Sequence, residues 1–197
     1  MDTERPTVQL DLPETWVRVP VAADGDRTGQ RALLADWCAA PARDVPADLV
    51  RQLVRLSRQA HADGVAFAAV LLATVAAEQV RVPITGALTV GFRAAPGAPR
   101  VVAEGVLVAV RSAGGPTRRA ELVGLAGDPD RPAVLVQEQG LEDDHRVART
   151  QVLWPLEGQL AGVSVTTADL PLAAAMRDVG LSVAGSLSVQ RVSPVNA

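Results

Sequence analysis

Residues 147 to 188 constrain this chain more than any other stretch. Val147 to Leu156 and Leu160 to Thr167 read as two strands joined by a turn at Glu157 and Gly158. Ala168, Asp169, Leu170 and Pro171 then open a helix that runs to about Ser188. At 100° per residue Leu172, Met176, Val179, Val183 and Leu187 fall within about 80° of one another and make its core face. A strand hairpin followed by a one-sided helix needs a sheet to lie in, so the remaining elements are expected to extend that sheet and cover its faces.

The earlier chain supplies them. Val8 to Leu10 and Trp16 to Val19 alternate like half-buried strands, and residues 22 to 27 have turn composition. Arg31 to Ala39 is compatible with a short helix or a strand, and Pro41 and Pro46 interrupt regular structure after it. From Pro46 to Ala62 the pattern is helical: Leu49, Val50, Leu53, Leu56 and Ala60 form one side, Arg51, Arg55 and Arg58 the other, and Gly64 ends it.

Val65 to Ala77 is apolar on both alternating faces, which favours a central strand over a buried helix. Gln79 to Pro83 and Gly86 to Arg93 continue it, with a loop over 94–99. Residues 100 to 112 lean towards helix through Val102, Val106 and Ala109, although Val106 to Val110 has strand composition. Ala120 to Leu125 and Ala133 to Gln137 read as a hairpin about Asp128 to Pro132, and Glu142 to His145 as an acidic turn.

Certain residues also resemble bacterial members of the PsbP-like fold group. They are Leu153, Trp154 and Pro155, then Val163 to Thr167 and Asp169 to Leu172, with 120–125 and 132–134 similar to the group's penultimate hairpin. Asp11 to Trp16 is similar to its opening strand and turn. The resemblance covers roughly 7–19 and 118–189. It implies an α+β fold in which an antiparallel β-sheet is flanked by helices on both faces, an α/β/α sandwich. Most members are binding or assembly proteins, including secretion-associated chaperones, and no catalytic set carries over.

The chain is expected to form one domain, 1–197, with a core over about 7–189 and short polar tails. A net charge of −3 argues against a dedicated nucleic-acid binder. All the strongly basic side chains are Arg, with one Ile and one Asn in the chain; this is the bias of a high-GC bacterial coding sequence, so Arg richness is weak evidence for phosphate recognition. A single Cys38, a polar start at 1–6 and no apolar run long enough for a membrane span lead to a cytoplasmic expectation.

No nucleophile elbow, phosphate loop or metal-ligand spacing occurs, so no catalytic residue, metal or cofactor is expected. His145 beside Asp143 and Asp144 reads as a polar turn, His61 as a complement to its helix dipole, and Cys38 beside Trp37 as a small buried hydrophobe. Two surfaces are candidates for a protein partner. One is the weakly charged outer side of the last helix, with Ala174, Arg177, Asp178, Leu181, Ala184 and Gly185, unless residues 20 to 45 cover it. The other is the Arg51, Arg55, Arg58 stripe, which suits an acidic partner or is simply solvated.

The expected function is therefore a non-enzymatic accessory module that binds another protein, as adaptor, chaperone or assembly subunit. A ligand-binding protein or enzyme with a pocket between sheet and helix, and a self-associating structural subunit, are the alternatives.

Overall fold

The computed structural model describes residues 7–39, 41–72, 84–115, 117–125, 128–142 and 145–190. In chain order these form β1 (Thr7–Gln9), β2 (Trp16–Val19), α1 (Arg27–Cys38), α2 (Ala47–Ala62), β3 (Phe67–Leu72) and β4 (Ile84–Ala94). Then come α3 (Pro99–Ser112), β5 (Arg119–Leu125), β6 (Asp128–Glu142), β7 (His145–Leu156), β8 (Gln159–Thr167), α4 (Ala173–Ser186) and β9 (Ser188–Gln190). The fold is α+β: a seven-stranded antiparallel sheet in the order β2-β3-β4-β8-β7-β6-β5, with helices on both faces. A small β1-β9 pair stands apart from it.

The hairpin of β7 and β8 sits in the middle of that order. Glu157 and Gly158 both take positive φ (46° and 80°), the backbone hand that matches the twist of the two strands. Val152 then faces Val163 and Trp154 faces Ala161 across the ladder. Those residues, with Phe67, Ala69, Leu88, Val90 and Leu135, form the larger core, which α4 closes through Met176, Val183 and Ala184. Trp154 is wholly buried there.

The opposite face is covered in two separate pieces. Over β2 and β3, α1 and α2 bury Val19, Ala68, Val70 and Leu72 beneath Leu34, Leu49, Val50 and Leu53. Over β5, β6 and β7, α3 buries Ala103 against Val134 and Val136. Ser57 is the buried polar exception on α2: its hydroxyl donates to the Pro20 carbonyl at 2.6 Å and accepts from the Ala22 amide at 3.1 Å.

Several expectations are corrected. The stretch compatible with helix or strand is helix and begins at Arg27, because the Asp26 side chain caps it by accepting from the Gly29 amide at 3.0 Å. Residues 100–112 are helical, in line with the spacing of Val102, Val106 and Ala109, and Ala103 is the buried residue of that helix. Asp128 to Pro132 belongs to β6 instead of forming the turn, with Leu125 facing Asp128 across a register shift. The last helix stops at Ser186, a 3-10 turn at Leu170–Leu172 precedes it, and Ser188 to Gln190 leaves it to pair with Thr7 to Gln9. The strand expected over 65–77 is seen as Phe67–Leu72; its last residues and Gln79 to Pro83 lie outside the described residues.

Helix α4 comes close to the sheet at Gly180. A Cβ there would meet Val165, Thr150 and Val152 methyls at 3.5 to 3.7 Å, which is ordinary contact. Gly180→Ala should therefore stabilise the protein by about 0.5–1 kcal/mol through helix propensity. Gly180→Leu should overpack the same place and destabilise by about 1–3 kcal/mol. Urea midpoints of the two variants against the parent test both signs.

Candidate functional site: an uncovered band of the sheet

Because α2 packs over β3 and α3 over β5 to β7, no described helix packs closely on the same face of β4 and β8 between them. Residues directly paired in an antiparallel ladder share a face. Register therefore carries the side of Ala68 through Thr89 and Ser164 to Gln151 and Val136. The same side of the next rows holds Thr166 with Arg149, and Gly91 with Gly162. Thr89, Ser164, Gln151 and Thr166 are half-buried, and a Cβ on Gly91 would meet nothing within 4 Å. The band is a flat strip of hydroxyls, one amide and backbone.

Its α3 wall can be assigned from the helix. Arg111 reaches from α3 to the Ala120 carbonyl on β5, so the flank opposite Arg111, with Val102 and Val106, looks towards the band. On α2, Ser57 and Arg58 bond the 20–24 segment beside β2, which leaves Gln52, Leu56 and Gln59 on the band side.

One end of the band is closed by charge. Glu138 on β6 takes Arg118 (2.6 Å) on one carboxylate oxygen and Arg149 (3.3 Å) on the other, and Arg149 also pairs with Glu142. The Arg149 Nε donates to the Thr166 hydroxyl. Arg118, Glu138, Glu142 and Arg149 line a cleft of about 270 Å³ with Gly114, Gly115 and Leu141. Two guanidinium groups and two carboxylates neutralise one another there, an arrangement that positions β6 and β7 and offers hydrogen-bonding edges rather than net charge.

The surfaces expected from the sequence fare differently. Ala174 and Asp178 on α4 are exposed and Arg177 and Gly185 half-buried, but Ala184 is fully buried and Leu181 packs against the larger core. The outer side of α4 is thus not one continuous patch. Residues 20–45 do not cover it either, since they pack on the far face with α2. The covering segment is 7–12: β1 pairs with β9, Leu10 and Leu12 join the core, and the Asp11 amide bonds the Ser186 hydroxyl at 3.0 Å.

Arg51, Arg55 and Arg58 are exposed on α2, with the Arg58 Nε donating to the Asp24 carbonyl at 2.9 Å. The stripe points away from the band. Cys38 ends α1 half-buried, and that burial raises its thiol pKa, holding it further towards the neutral form. His145 lies at the start of β7; its neighbours Asp143 and Asp144 lie outside the described residues. Among the described residues no group of three or more His, Cys, Asp and Glu side chains could hold a metal ion, and no helix is long and apolar enough to cross a membrane. The band itself had no signal in the sequence beyond small and hydroxyl residues on alternate positions of β4 and β8.

No family model and no curated protein matches the chain in sequence. Solved structures similar to it include members of the PsbP-like fold group. LpqN of Mycobacterium tuberculosis, described as involved in cell envelope biogenesis, has a TM-score of 0.49 at 11% identity, over 96% of this chain and 87% of that one. The Ran-binding protein Mog1p of Saccharomyces cerevisiae has 0.44 at 10%, over 92% and 89%. Cyanobacterial PsbP of Synechocystis has 0.41 at 15%, over 94% and 92%. At such identities and TM-scores the likeness says nothing of the band.

Removing Glu138 would take the ion pair from Arg118 and leave Arg149 with Glu142 and the Thr166 hydroxyl alone. Glu138→Ala should cost about 1–3 kcal/mol, whereas loss of the exposed Arg43–Asp44 pair should cost under about 0.5 kcal/mol. Parallel thermal melts of Glu138→Ala and Arg43→Ala check the ranking.

Proposed function

We propose that this chain is a non-enzymatic accessory module that binds another protein on the uncovered band, as an adaptor, chaperone or assembly subunit. The observation that supports the reading is the polar strip of β4 and β8, with Gln151 of β7 at its margin, on which no described helix packs closely. A strip flanked by two helices and floored with Thr89, Ser164, Thr166 and Gln151 offers a polypeptide segment hydrogen bonds and close backbone approach at Gly91. Its proposed place is the cytoplasm, where the Cys38 thiol would stay reduced. A service to secretion belongs to the same reading and rests on the family resemblance alone.

A second reading is favoured by the cleft of about 270 Å³ at the Arg149 end, which has room for a small polar ligand. A rise in melting temperature on adding a small molecule, abolished by Arg149→Ala, would select it over protein binding.

The direct test is affinity purification of tagged protein from its native cells, with three forms compared. A stoichiometric partner should be held by the parent, lost by Ser164→Arg, and kept by Arg55→Glu, while all three melt within about 1 kcal/mol of one another. Ser164→Arg fills the band without touching either core. A partner kept by Ser164→Arg and lost by Arg55→Glu would move the site to the arginine stripe and overturn the band.

A further inference from the structure

The two edges of the sheet are unequal. β2 has four residues bounded by Pro13 and Pro20, and the Pro20 carbonyl is already taken by Ser57 and Gln30. β5 has seven residues and no proline. Natural sheets guard such edges, because free N–H and C=O groups recruit another strand.

Which groups of β5 are free is decided by one pairing. Gly124 stands opposite Pro132. Proline has no N–H, so this is the kind of antiparallel pair whose backbone groups turn away from each other. Alternation then turns Ala120, Leu122 and Gly124 outward. Arg111 agrees, since its Nε and Nη2 donate to the Ala120 carbonyl at 3.3 and 3.0 Å.

The same corner is apolar. Of the four exposed large hydrophobics among the described residues, Leu122 is on β5 and Val101 and Val108 are on α3, at 45%, 66% and 63% exposure. On the helix, Val108 leans to the side of Arg111, which is the β5 side.

We propose that this edge is where two copies of the chain associate, β5 pairing antiparallel with β5 of the second copy about a two-fold axis at Leu122. The outward set Ala120, Leu122, Gly124 is symmetric about its middle member, so Leu122 meets its equivalent and Ala120 meets Gly124, whose amide replaces Arg111 on the Ala120 carbonyl and frees that guanidinium for the second copy. Charge selects the second copy over an unrelated strand. Counting from the Arg111 anchor at Ala120, Glu104 lies about 10 Å back along α3, level with the span about 7–13 Å along β5 that holds Leu122 and Gly124. The two-fold therefore brings Glu104 of each copy beside Arg111 of the other, with Val108 and Leu122 between them. Glu104 also has Arg100 on its own helix at 3.1 Å, which orders it on this surface.

The test is sedimentation of the full chain across concentration. A dimer is expected, with Leu122→Lys weakening it about tenfold or more. Glu104→Arg and Arg111→Glu should each weaken it, and the two together should restore it, which a folding defect would not do. In a Cys38→Ser background, Leu122→Cys should oxidise to a disulfide-linked dimer, because the axis places the two residues opposite each other. A monomer up to about 100 µM, a concentration at which an association worth about 5.5 kcal/mol would be half formed, would overturn the proposal. So would a dimer indifferent to both Leu122→Lys and the charge swap.

Discussion

The structure depends on the alternation of β7 and β8. Every second side chain from Ala148 to Trp154 and from Ala161 to Thr167 is buried on one face, and Val152, Trp154, Ala161, Val163 and Val165 among them join one core under α4. Period-two geometry then turns the intervening residues, Gln151, Ser164 and Thr166, to the other face without choice. The polar band is therefore a direct consequence of the apolar core: one register places both, and a slip of one residue would exchange them.

Close approach of α4 results from small residues placed against it. Gly180 on the helix lies over Val165 and Val152, while a Cβ on Gly86 of β4 would crowd Trp16, Leu71 and the Met176 sulfur at 3.3 to 3.4 Å. With the helix this near the sheet, more of its circumference is buried than a single stripe. Leu181 and Ala184 are drawn into the core, and the β1-β9 pair with Leu10 and Leu12 closes the remaining side. The free surface of the protein is thus shifted from α4 to the opposite face and to the β5 edge.

That opposite face is divided because its helices have narrow apolar stripes. α2 buries Leu49, Val50, Leu53 and Ala60 over β2 and β3, and α3 buries Ala103 over β6. Neither stripe is wide enough to reach β4 and β8. The band and the β5 edge lie at different places on the sheet, so binding of a partner at one and association of copies at the other are compatible in a single molecule.

Local chemistry makes much of this legible in the sequence. The positive-φ pair at Glu157 and Gly158, the Pro46-to-Gly64 helix with its arginine side, and the alternation of β7 and β8 are each decided within a few residues, by turn, cap and period. What tertiary structure alone decided is which surfaces stay open. Ala184 reads as outer by helical angle and is buried, because the sheet and residues 7–12 hold α4 from two sides. Thr89 and Ser164 are unremarkable strand residues, and are left without a described helix packed on them because α2 and α3 bury other parts of the sheet. Exposure is a property of what packs beside a residue, and that neighbour is supplied from far along the chain.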